Sequence, residues 1–511
     1  MTSPRPTART EYGRVSGAPA LLPEVTVYKG VPYAASTAGP RRWRPPRPPH
    51  PWHGTRPAHT FGPICPQPPS PLADPRLPRG EDCLNLNIWT PTTLPEAIRP
   101  VLVWLHGGRF LYGSGADPRY DGSALAAKGL VVVTVNSRLG ALGYLATPGL
   151  SAESVDGTSG NYGLLDQIEA LRWVRRNIAA FGGDPGRVTI AGQSSGAASV
   201  MDLVYSPLAT GLFHAAVADS AVLHPKDPAT ATLAPSHRTL DDAERDGSAY
   251  AHERGAQTPD ELRALAVGTL VKGSEADDPR IPGSPPPPLF RPVVDGRVLP
   301  RTYADTLAAG TQNDVPLIIG NNRDESGAGP GTRLTVAAYE RRAARRYGEF
   351  TREFLSLYPA TTDAEAAAQH NTARSDAART STHLWVEEWA HRARSPVFTH
   401  FWTRTPPGPE GEARGAFHGS ELPYLLGTSE TLDDRPWADG DRRTADLLTG
   451  YLTRFATAGD PNGPGLPAWR PTRPAVREVF ETGHGWAPIP LAEPARADFH
   501  RRFLQAQTAA W

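Results

Sequence analysis

The stretch Arg187-Val-Thr-Ile-Ala-Gly-Gln-Ser-Ser-Gly-Ala-Ala198 places a strand, a turn and the start of a helix in immediate succession. The apolar and β-branched residues 188–191 predict a short buried strand, and the small residues after Gly196 predict a helix. A Gly-x-Ser-x-Gly turn in this setting is typical of a nucleophile elbow, where side chains at the glycines would collide with their neighbours. Ser194 is the candidate nucleophile because it lies centrally between the glycines, whereas Ser195 is better placed to offer its backbone N–H.

Further apolar runs on both sides of this stretch end in polar or glycine-rich loops, as buried strands of a parallel sheet do. Residues 164–180 lie between two such runs and have apolar side chains at helical spacing. This alternation predicts an α/β fold with a mostly parallel central sheet and helices on both faces. Residues 20–35 alternate apolar and polar side chains and predict an antiparallel hairpin at the sheet edge. The predicted strands are residues 84–89, 101–105, 130–135, 188–191, 213–220, 316–320 and 398–402.

Composition indicates a globular protein, with 39% hydrophobic residues in a chain of 511 residues. The 53 basic residues balance the 53 acidic ones, so we expect no nucleic-acid partner. No apolar run approaches the ~18 residues that cross a bilayer, and no membrane span is expected. The N-terminus lacks the apolar segment of a signal peptide, which predicts a cytoplasmic location. Arginine far outnumbers lysine beside abundant alanine, glycine and proline, which indicates GC-rich coding and a bacterial origin.

No composition change divides the chain, and we predict a single domain over residues 1–511. Residues 1–19 are polar and rich in proline and arginine, which predicts a flexible N-terminal tail. Residues 237–270 and 335–358 have helical patterns and are predicted as helical insertions. The second of these contains four arginines, which we interpret as a solvated helix face rather than a nucleic-acid site; they are Arg341, Arg342, Arg345 and Arg346.

A serine nucleophile needs a histidine to accept its proton and a carboxylate to orient that histidine, and in α/β-hydrolases these follow the serine in the order acid, then histidine. Asp324 and Glu325 both follow the predicted strand 316–320, and either carboxylate is a candidate. His418 is the candidate base because glycines flank it in a loop after the predicted strand 398–402. The sequence contains no metal-binding cysteine or histidine motif, and we predict neither a metal nor a cofactor.

The chain resembles the type-B carboxylesterases, the branch of the α/β-hydrolases that includes p-nitrobenzyl esterases and cholinesterases. The likeness covers nearly the full length, and its blocks occur in the order found in the family. They are Tyr28 to Ala34, Arg44 to Pro46, Glu81 to Ile88, His106 to Gly108, Gly160 to Gln167, the turn at Ser194, Pro292 to Gly296, Arg323 to Glu325, His418 to Leu422 and Gly459 to Gly463.

The resemblance implies a role for each candidate residue. Ser194 becomes the nucleophile, Glu325 rather than Asp324 the acid, and His418 the base. The oxyanion donors become the backbone N–H groups of Gly108, Arg109 and Ser195, with Ser220 and Glu421 in a buried layer behind the triad. The two cysteines, Cys65 and Cys83, allow either one disulfide or two reduced thiols, and the corresponding positions of the family form a disulfide-closed loop.

The resemblance also implies an activity, namely hydrolysis of a small-molecule carboxylic ester through an acyl-serine intermediate by a monomer or weak homo-oligomer. Two alternatives remain. The same triad serves acyl transfer or lactone formation in biosynthetic tailoring enzymes, and some members of the fold are binding proteins without catalysis. Arg109 stands where many members have glycine, so its cation either favours an anionic substrate or points away from the site.

Overall fold

The computed structural model describes residues 5–92, 98–232, 236–281, 286–325, 328–432 and 434–508. Its strands are β1 (Thr7–Thr10), β2 (Gly13–Ser16), β3 (Ala18–Pro19), β4 (Val25–Pro32), β5 (Thr55–Pro57), β6 (Asn85–Pro91), β7 (Arg99–Leu105), β8 (Val131–Val135), β9 (Gly183–Gln193), β10 (Ala215–Asp219), β11 (Arg238–Thr239), β12 (Val293–Val294), β13 (Leu317–Asn322), β14 (Val397–Trp402), β15 (Glu478–Thr482) and β16 (Pro488–Pro490).

The α-helices of the same residues vary widely in length, from single turns to the 28 residues of the longest one. They are α1 (Ser123–Ala127), α2 (Gly140–Tyr144), α3 (Pro148–Glu153), α4 (Tyr162–Asn177), α5 (Ser195–Tyr205), α6 (Leu240–His252), α7 (Pro259–Ala264), α8 (Val267–Val271), α9 (Tyr303–Ala309), α10 (Val336–Tyr347), α11 (Thr351–Leu357), α12 (Asp363–Ala390), α13 (Pro409–Arg414), α14 (Leu422–Leu425), α15 (Asp439–Ala458) and α16 (Pro494–Ala506).

The largest sheet has eleven strands in the order β16-β15-β14-β13-β10-β9-β7-β8-β6-β4-β3. The strands from β15 to β8 in this order pair in parallel, because helices such as α4 and α5 carry the chain back between them. The strands at both ends of the sheet pair antiparallel. The predicted α/β-hydrolase fold, with a mostly parallel sheet and an antiparallel N-terminal edge, is confirmed.

Side chains of β7 alternate between two hydrophobic clusters, one on each face of the sheet. Val101, Val103 and Leu105 pack in the cluster that contains residues of α4 and α5. Leu102 and Trp104 pack in the cluster that contains residues of α1 and α15. Both faces are therefore covered by helices, which explains why the central strands are continuous apolar runs in the sequence.

The helical insertions differ in what they pack against. α10 and α11 form a separate hydrophobic cluster with α16, in which Tyr347 stacks on Phe354 at a ring-centroid distance of 4.2 Å. α10 also contacts α12, the longest helix. None of the described helices is long and apolar enough to cross a membrane.

The carboxyl ends of the parallel strands meet at one edge of the sheet. β7 ends at Leu105, β9 ends at Gln193 and β13 ends at Asn322. The turn at Ser194 and the loop with Glu325 follow at once, and parallel pairing brings them to the same edge. The sequence analysis placed Ser194, Asp324, Glu325 and His418 in loops that follow predicted strands of this sheet.

The predicted flexible tail is wrong for residues 5–19, whereas residues 1–4 lie outside the described residues. β1 and β2 pair antiparallel, and β2 also pairs with β5. Ala8 and Val15 are buried in the main core, and Glu11 forms an ion pair with Arg176 of α4 at 2.8 Å. The segment is ordered by contacts with distant residues, which its polar composition does not reveal.

We predict that Val15→Ala lowers the free energy of unfolding by about 2 kcal/mol, because it removes buried methyl groups and leaves a cavity. Val15 is 0% exposed, whereas the neighbouring Arg14 is exposed. Arg14→Ala is the matched control and should change stability by less than about 0.5 kcal/mol. Urea unfolding of both variants measures the difference, and equal stabilities would show that this segment does not pack as described.

Candidate active site

Ser194 lies between β9 and α5 in a backbone conformation that a non-glycine residue rarely adopts. Its φ is 59° and its ψ is −129°. The Ser194 N–H donates to the carbonyl of Asp219 at the end of β10 over 2.9 Å, and the Ser194 carbonyl accepts from Ala198 in α5 over 2.9 Å. Strand, neighbouring strand and helix therefore hold the strained residue in place, and its side chain lies in the wall of a cavity.

The two glycines of the turn are required by close contacts. A Cβ atom on Gly192 would lie 2.4 Å from the carbonyl carbon of Gly196. A Cβ atom on Gly196 would lie 2.1 Å from the carbonyl oxygen of Leu105 in β7. Both separations are far below van der Waals contact, so the sharpness of the turn depends on glycine at these positions.

His418 and Glu325 lie together in the same cavity wall. Nδ1 of His418 is 2.6 Å from Oε2 of Glu325, and Oε1 of Glu325 accepts the Asn322 N–H over 3.0 Å. Burial lowers the pKa of His418, but the charge of Glu325 and its hydrogen bond outweigh burial and raise it above the usual value. Burial raises the pKa of Glu325, but the charge and hydrogen bond of His418 outweigh it and lower it. The pair is arranged to favour an imidazolium beside a carboxylate.

Asp324, the other candidate acid, has different partners. Its Oδ2 accepts the guanidinium of Arg323 over 2.7 Å and the Ala416 N–H over 2.7 Å. The latter bond joins the loop after β13 to the loop after β14. Asp324 thus holds the two loops together, while the adjacent Glu325 faces His418.

The loop after β7 passes close to Ser194. A Cβ atom on Gly107 would lie 3.3 Å from the Ser194 Cβ, and one on Gly108, where φ is 119°, would lie 2.2 Å from the Tyr112 carbonyl oxygen. Within the described part of the chain, the N–H groups of Gly108 and Arg109 donate no hydrogen bond. The N–H of Ser195 is at the first position of α5, where helices leave donors without partners.

Arg109 has its cation neutralised. Its guanidinium donates to Oδ1 of Asp277 over 2.6 Å and to the Pro286 carbonyl over 2.6 Å. Arg109 lines the cavity, but its positive charge is paired with a carboxylate of the segment before β12. The side chain therefore ties two loops together rather than offering an unpaired cation.

Ser220 and Glu421 lie behind the His418–Glu325 pair. Ser220 has a φ of 60°, and its hydroxyl helps to lower the pKa of Glu325 although it does not reach full hydrogen-bond geometry. Glu421 is 2% exposed, and its Oε2 accepts from the Asn322 amide while its Oε1 is buried without a hydrogen-bond partner among the described residues. Burial, and then the charge of Asp219, raise the pKa of Glu421 to about 7.

Two residues near His418 were not predicted as part of the site. The Asn322 amide donates to Glu421 and, over 2.8 Å, to the Phe417 carbonyl. The Gln193 amide Nε2 lies 3.3 Å from His418 Nε2. Their positions at the last residues of β13 and β9 are the signal in the sequence that would have found them, because strand ends meet at this edge.

Cys65 and Cys83 are free, buried thiols, so the possible disulfide is not formed in the structure. The Cys65 sulfur accepts the Leu139 N–H at 3.2 Å and donates to the Pro66 carbonyl at 3.6 Å. The hydrogen bond with Cys65, and then burial, raise the pKa of Cys83 well above its usual value. The Cys83 group is thus accommodated as a neutral thiol.

The cavity beside Ser194 has a volume of about 440 Å³. Its wall near the sheet contains Ser194, Glu325, His418 and the glycines of the loop after β7. Residues of α10 and α12 form another part of the wall. Arginines line both parts; they are Arg109, Arg119, Arg323, Arg342, Arg346 and Arg374.

Arg341, Arg342 and Arg345 are exposed, as the interpretation of a solvated face predicts, whereas Arg346 is half-buried. Arg342 and Arg346 also line the cavity, which the sequence analysis did not predict, and Arg341 and Arg345 do not. Helical spacing separates the two pairs onto different faces, but the sequence does not show which face meets the cavity.

We predict that the stability of Glu421→Gln relative to the wild type increases with pH. The folded protein retains the Glu421 proton up to about pH 7, whereas an unfolded glutamate loses it near 4.5. The wild type therefore becomes less stable across that interval. The free energy of unfolding of the variant, relative to that of the wild type, rises by up to about 3 kcal/mol between about pH 4 and about pH 8. Urea unfolding at several pH values measures this difference.

The control for this measurement is Glu340→Gln, since Glu340 is an exposed residue of α10. Its stability relative to the wild type should stay level over the same pH range. A level difference for Glu421→Gln as well would mean that Glu421 is ionised in the folded protein.

Known proteins resemble this chain in sequence and in fold. A family model described as the carboxylesterase family matches residues 4–488. Fumonisin B1 esterase from Sphingopyxis macrogoltabida is 37% identical over 83% of this chain and 75% of that protein. Para-nitrobenzyl esterase from Bacillus subtilis is 33% identical over 89% of this chain and 90% of that protein. A solved structure of a PNB esterase covers 98% of this chain and 100% of its own, with 29% identity and a TM-score of 0.78. The chain belongs to the carboxylesterase family and is a carboxylic ester hydrolase.

Proposed function

We propose that this ester hydrolase works through an acyl-serine intermediate, with Ser194 as nucleophile, His418 as general base and Glu325 as the carboxylate that orients it. The contact of 2.6 Å between His418 Nδ1 and Glu325 Oε2 carries this proposal. It leaves Nε2 as the nitrogen that accepts a proton, in a cavity wall that also contains the strained Ser194. No other acidic side chain of the described residues bonds His418.

In the first half of the reaction, Ser194 Oγ attacks the ester carbonyl carbon while His418 Nε2 takes the hydroxyl proton. The imidazolium that forms is stabilised by Glu325 and gives its proton to the alcohol oxygen, which leaves. In the second half, His418 removes a proton from water, which attacks the acyl-serine, and the acid departs as Ser194 regains its proton. Glu325 stays ionised throughout, in keeping with its lowered pKa.

The negative oxygen of each tetrahedral intermediate needs donors that are already in place. The backbone N–H groups of Gly108, Arg109 and Ser195 are proposed for this role, because the first two make no hydrogen bond within the described residues and the third begins α5. One such donor typically contributes ~3 kcal/mol to lowering the barrier. The side chain at position 109 is irrelevant to this contribution, since the donor is the backbone.

We predict that Ser194→Ala abolishes the rapid release of p-nitrophenol from p-nitrophenyl acetate and the appearance of an acylated protein in mass spectrometry. The expected loss in kcat is at least about 10⁴-fold, because no nucleophile remains. Ser195→Ala keeps its backbone N–H and should retain the greater part of kcat. The opposite result for the two variants would assign the nucleophile to Ser195.

We predict that Glu325→Gln lowers kcat by about 10²- to 10⁴-fold, because the imidazolium loses its stabilising charge. His418 must be neutral to act as a base, so activity falls as the pH drops through its raised pKa. Without the Glu325 charge this pKa decreases, and the acid limb of the kcat/KM profile moves to lower pH.

Asp324→Asn is the matched control for Glu325→Gln, because it changes the adjacent carboxylate, which bonds Arg323 and Ala416 rather than His418. This variant should keep the wild-type pH profile. If Asp324→Asn shifted the acid limb and Glu325→Gln did not, the orienting carboxylate would be Asp324.

A further inference from the structure

Two helices, α10 and α12, form a part of the wall of the cavity that also contains Ser194, and each presents one face to the cavity. The contributing residues of α10 follow the spacing i, i+3, i+4, i+7, i+8, and five of the six from α12 follow the same spacing, with Ser375 as the sixth. Each face carries two basic side chains four residues apart, one turn of helix. The residues are Tyr339, Arg342, Ala343, Arg346 and Tyr347 of α10, and His370, Ala373, Arg374, Ala377 and Ala378 of α12.

The other arginines of the cavity wall have their charge cancelled nearby. Each of the three forms a close ion pair with a carboxylate that does not line the cavity. The pairs are Arg109 with Asp277 at 2.6 Å, Arg119 with Asp117 at 2.5 Å and Arg323 with Asp324 at 2.7 Å. These three side chains add little net charge to the interior of the cavity.

The helix wall carries more positive than negative charge. Asp227 is the carboxylate that lines the cavity beside it, at 3.3 Å from the Arg346 guanidinium. The same Asp227 oxygen also accepts the Ala229 N–H over 2.9 Å. Arg342 forms no ion pair within the described residues. The second carboxylate among the described lining residues, Glu325, is already paired with His418.

The positive groups of this wall also affect one another. Burial, and then the charge of Arg346, lower the pKa of the Arg374 guanidinium. Guanidinium groups remain charged at neutral pH even so. Arg342 and Arg346 together carry one more charge than Asp227 cancels, so the α10 side of the cavity has a net positive charge.

Resting on the proposed hydrolysis at Ser194, we propose that Arg342, Arg346 and Arg374 bind an anionic group of the substrate. The enzyme thereby selects esters that carry a carboxylate or another oxyanion at a distance from the reactive carbonyl. Guanidinium groups suit this task, because their planar N–H donors match the two oxygens of a carboxylate or phosphate. A neutral ester gains nothing from the same groups.

The experiment compares substrates that differ only in charge. Mono-p-nitrophenyl esters of glutaric, adipic and suberic acid carry a free carboxylate at increasing distance from the reactive carbonyl, and their methyl esters are neutral. For the chain length that reaches the helix wall, kcat/KM should favour the anionic ester by about tenfold or more, the effect of one charge-assisted contact. Added salt should reduce this preference. Equal kcat/KM for every pair would overturn the proposal.

The variants locate the effect on the helix wall. Arg342→Gln and Arg374→Gln should each lower kcat/KM for the preferred anionic ester about tenfold more than for its neutral methyl ester. Arg341→Gln and Arg345→Gln, on the exposed face of the same helix α10, are matched controls and should leave both substrates unchanged. Equal losses with anionic and neutral esters would mean that the arginines only maintain the structure.

A binding measurement separates this proposal from the proposed function. Titration calorimetry of Ser194→Ala with glutarate, adipate and inorganic phosphate needs no hydrolysis. Binding that weakens in Ser194→Ala/Arg342→Gln supports the anion site even if the reaction does not use Ser194. Preference for glutarate or adipate over phosphate would assign a carboxylate, and the reverse a phosphate. If none of the three binds while neutral esters are hydrolysed, the anion site is wrong and the proposed function stands.

Discussion

The left-handed backbone at Ser194 is the constraint on which the rest of the site depends. A serine in this conformation costs about 1–3 kcal/mol, so it persists only where its surroundings leave no alternative. Here other backbone conformations are excluded by the hydrogen bond from Ser194 to Asp219 of β10 and by the close contacts of Gly192 and Gly196. Neither glycine position has room for a side chain. The buried strand before Ser194 and the buried helix after it hold this residue in its strained conformation. Its hydroxyl group lies in the cavity wall.

Strands β13 and β14 complete the site, because their pairing continues past the last residue of each strand. Asp324 and Phe417 pair in parallel beyond β13 and β14, and each is followed directly by the residue that faces the cavity. Glu325 and His418 are therefore brought together by backbone register as well as by their own attraction. The side chain of Asp324 supports this register through Ala416. Two adjacent carboxylates in the sequence thus have separate tasks, one in holding the loops and one in facing the histidine.

The sequence predicts the features that depend on local pattern. Val101 to Leu105 and Val188 to Ala191 are strands because buried parallel strands need continuous apolar residues, and Ser194 and His418 follow from their loops. Features that depend on distant contacts were missed. Residues 5–19 are held by α4 and β5, and the cavity face of α10 is decided by α12. Asp324 and Glu325 could not be separated by spacing alone, since one residue of register decides which carboxylate faces His418 and resemblance alone favoured Glu325.

Helix α10 and the elements around Ser194 belong to different hydrophobic clusters. The wall with Ser194 belongs to the central sheet, whereas α10 packs with α11 and α16 in a hydrophobic cluster of its own. Changes at Arg342 and Arg346 of α10 therefore alter the electric potential in the cavity without moving the backbone that strains Ser194. The sheet edge also keeps its own charge balance, since Glu325 is matched by His418 and Asp324 by Arg323. The carboxylate of an anionic ester is charged in the ground state and in the transition state alike, so a positive wall binds both states and raises kcat/KM for that ester.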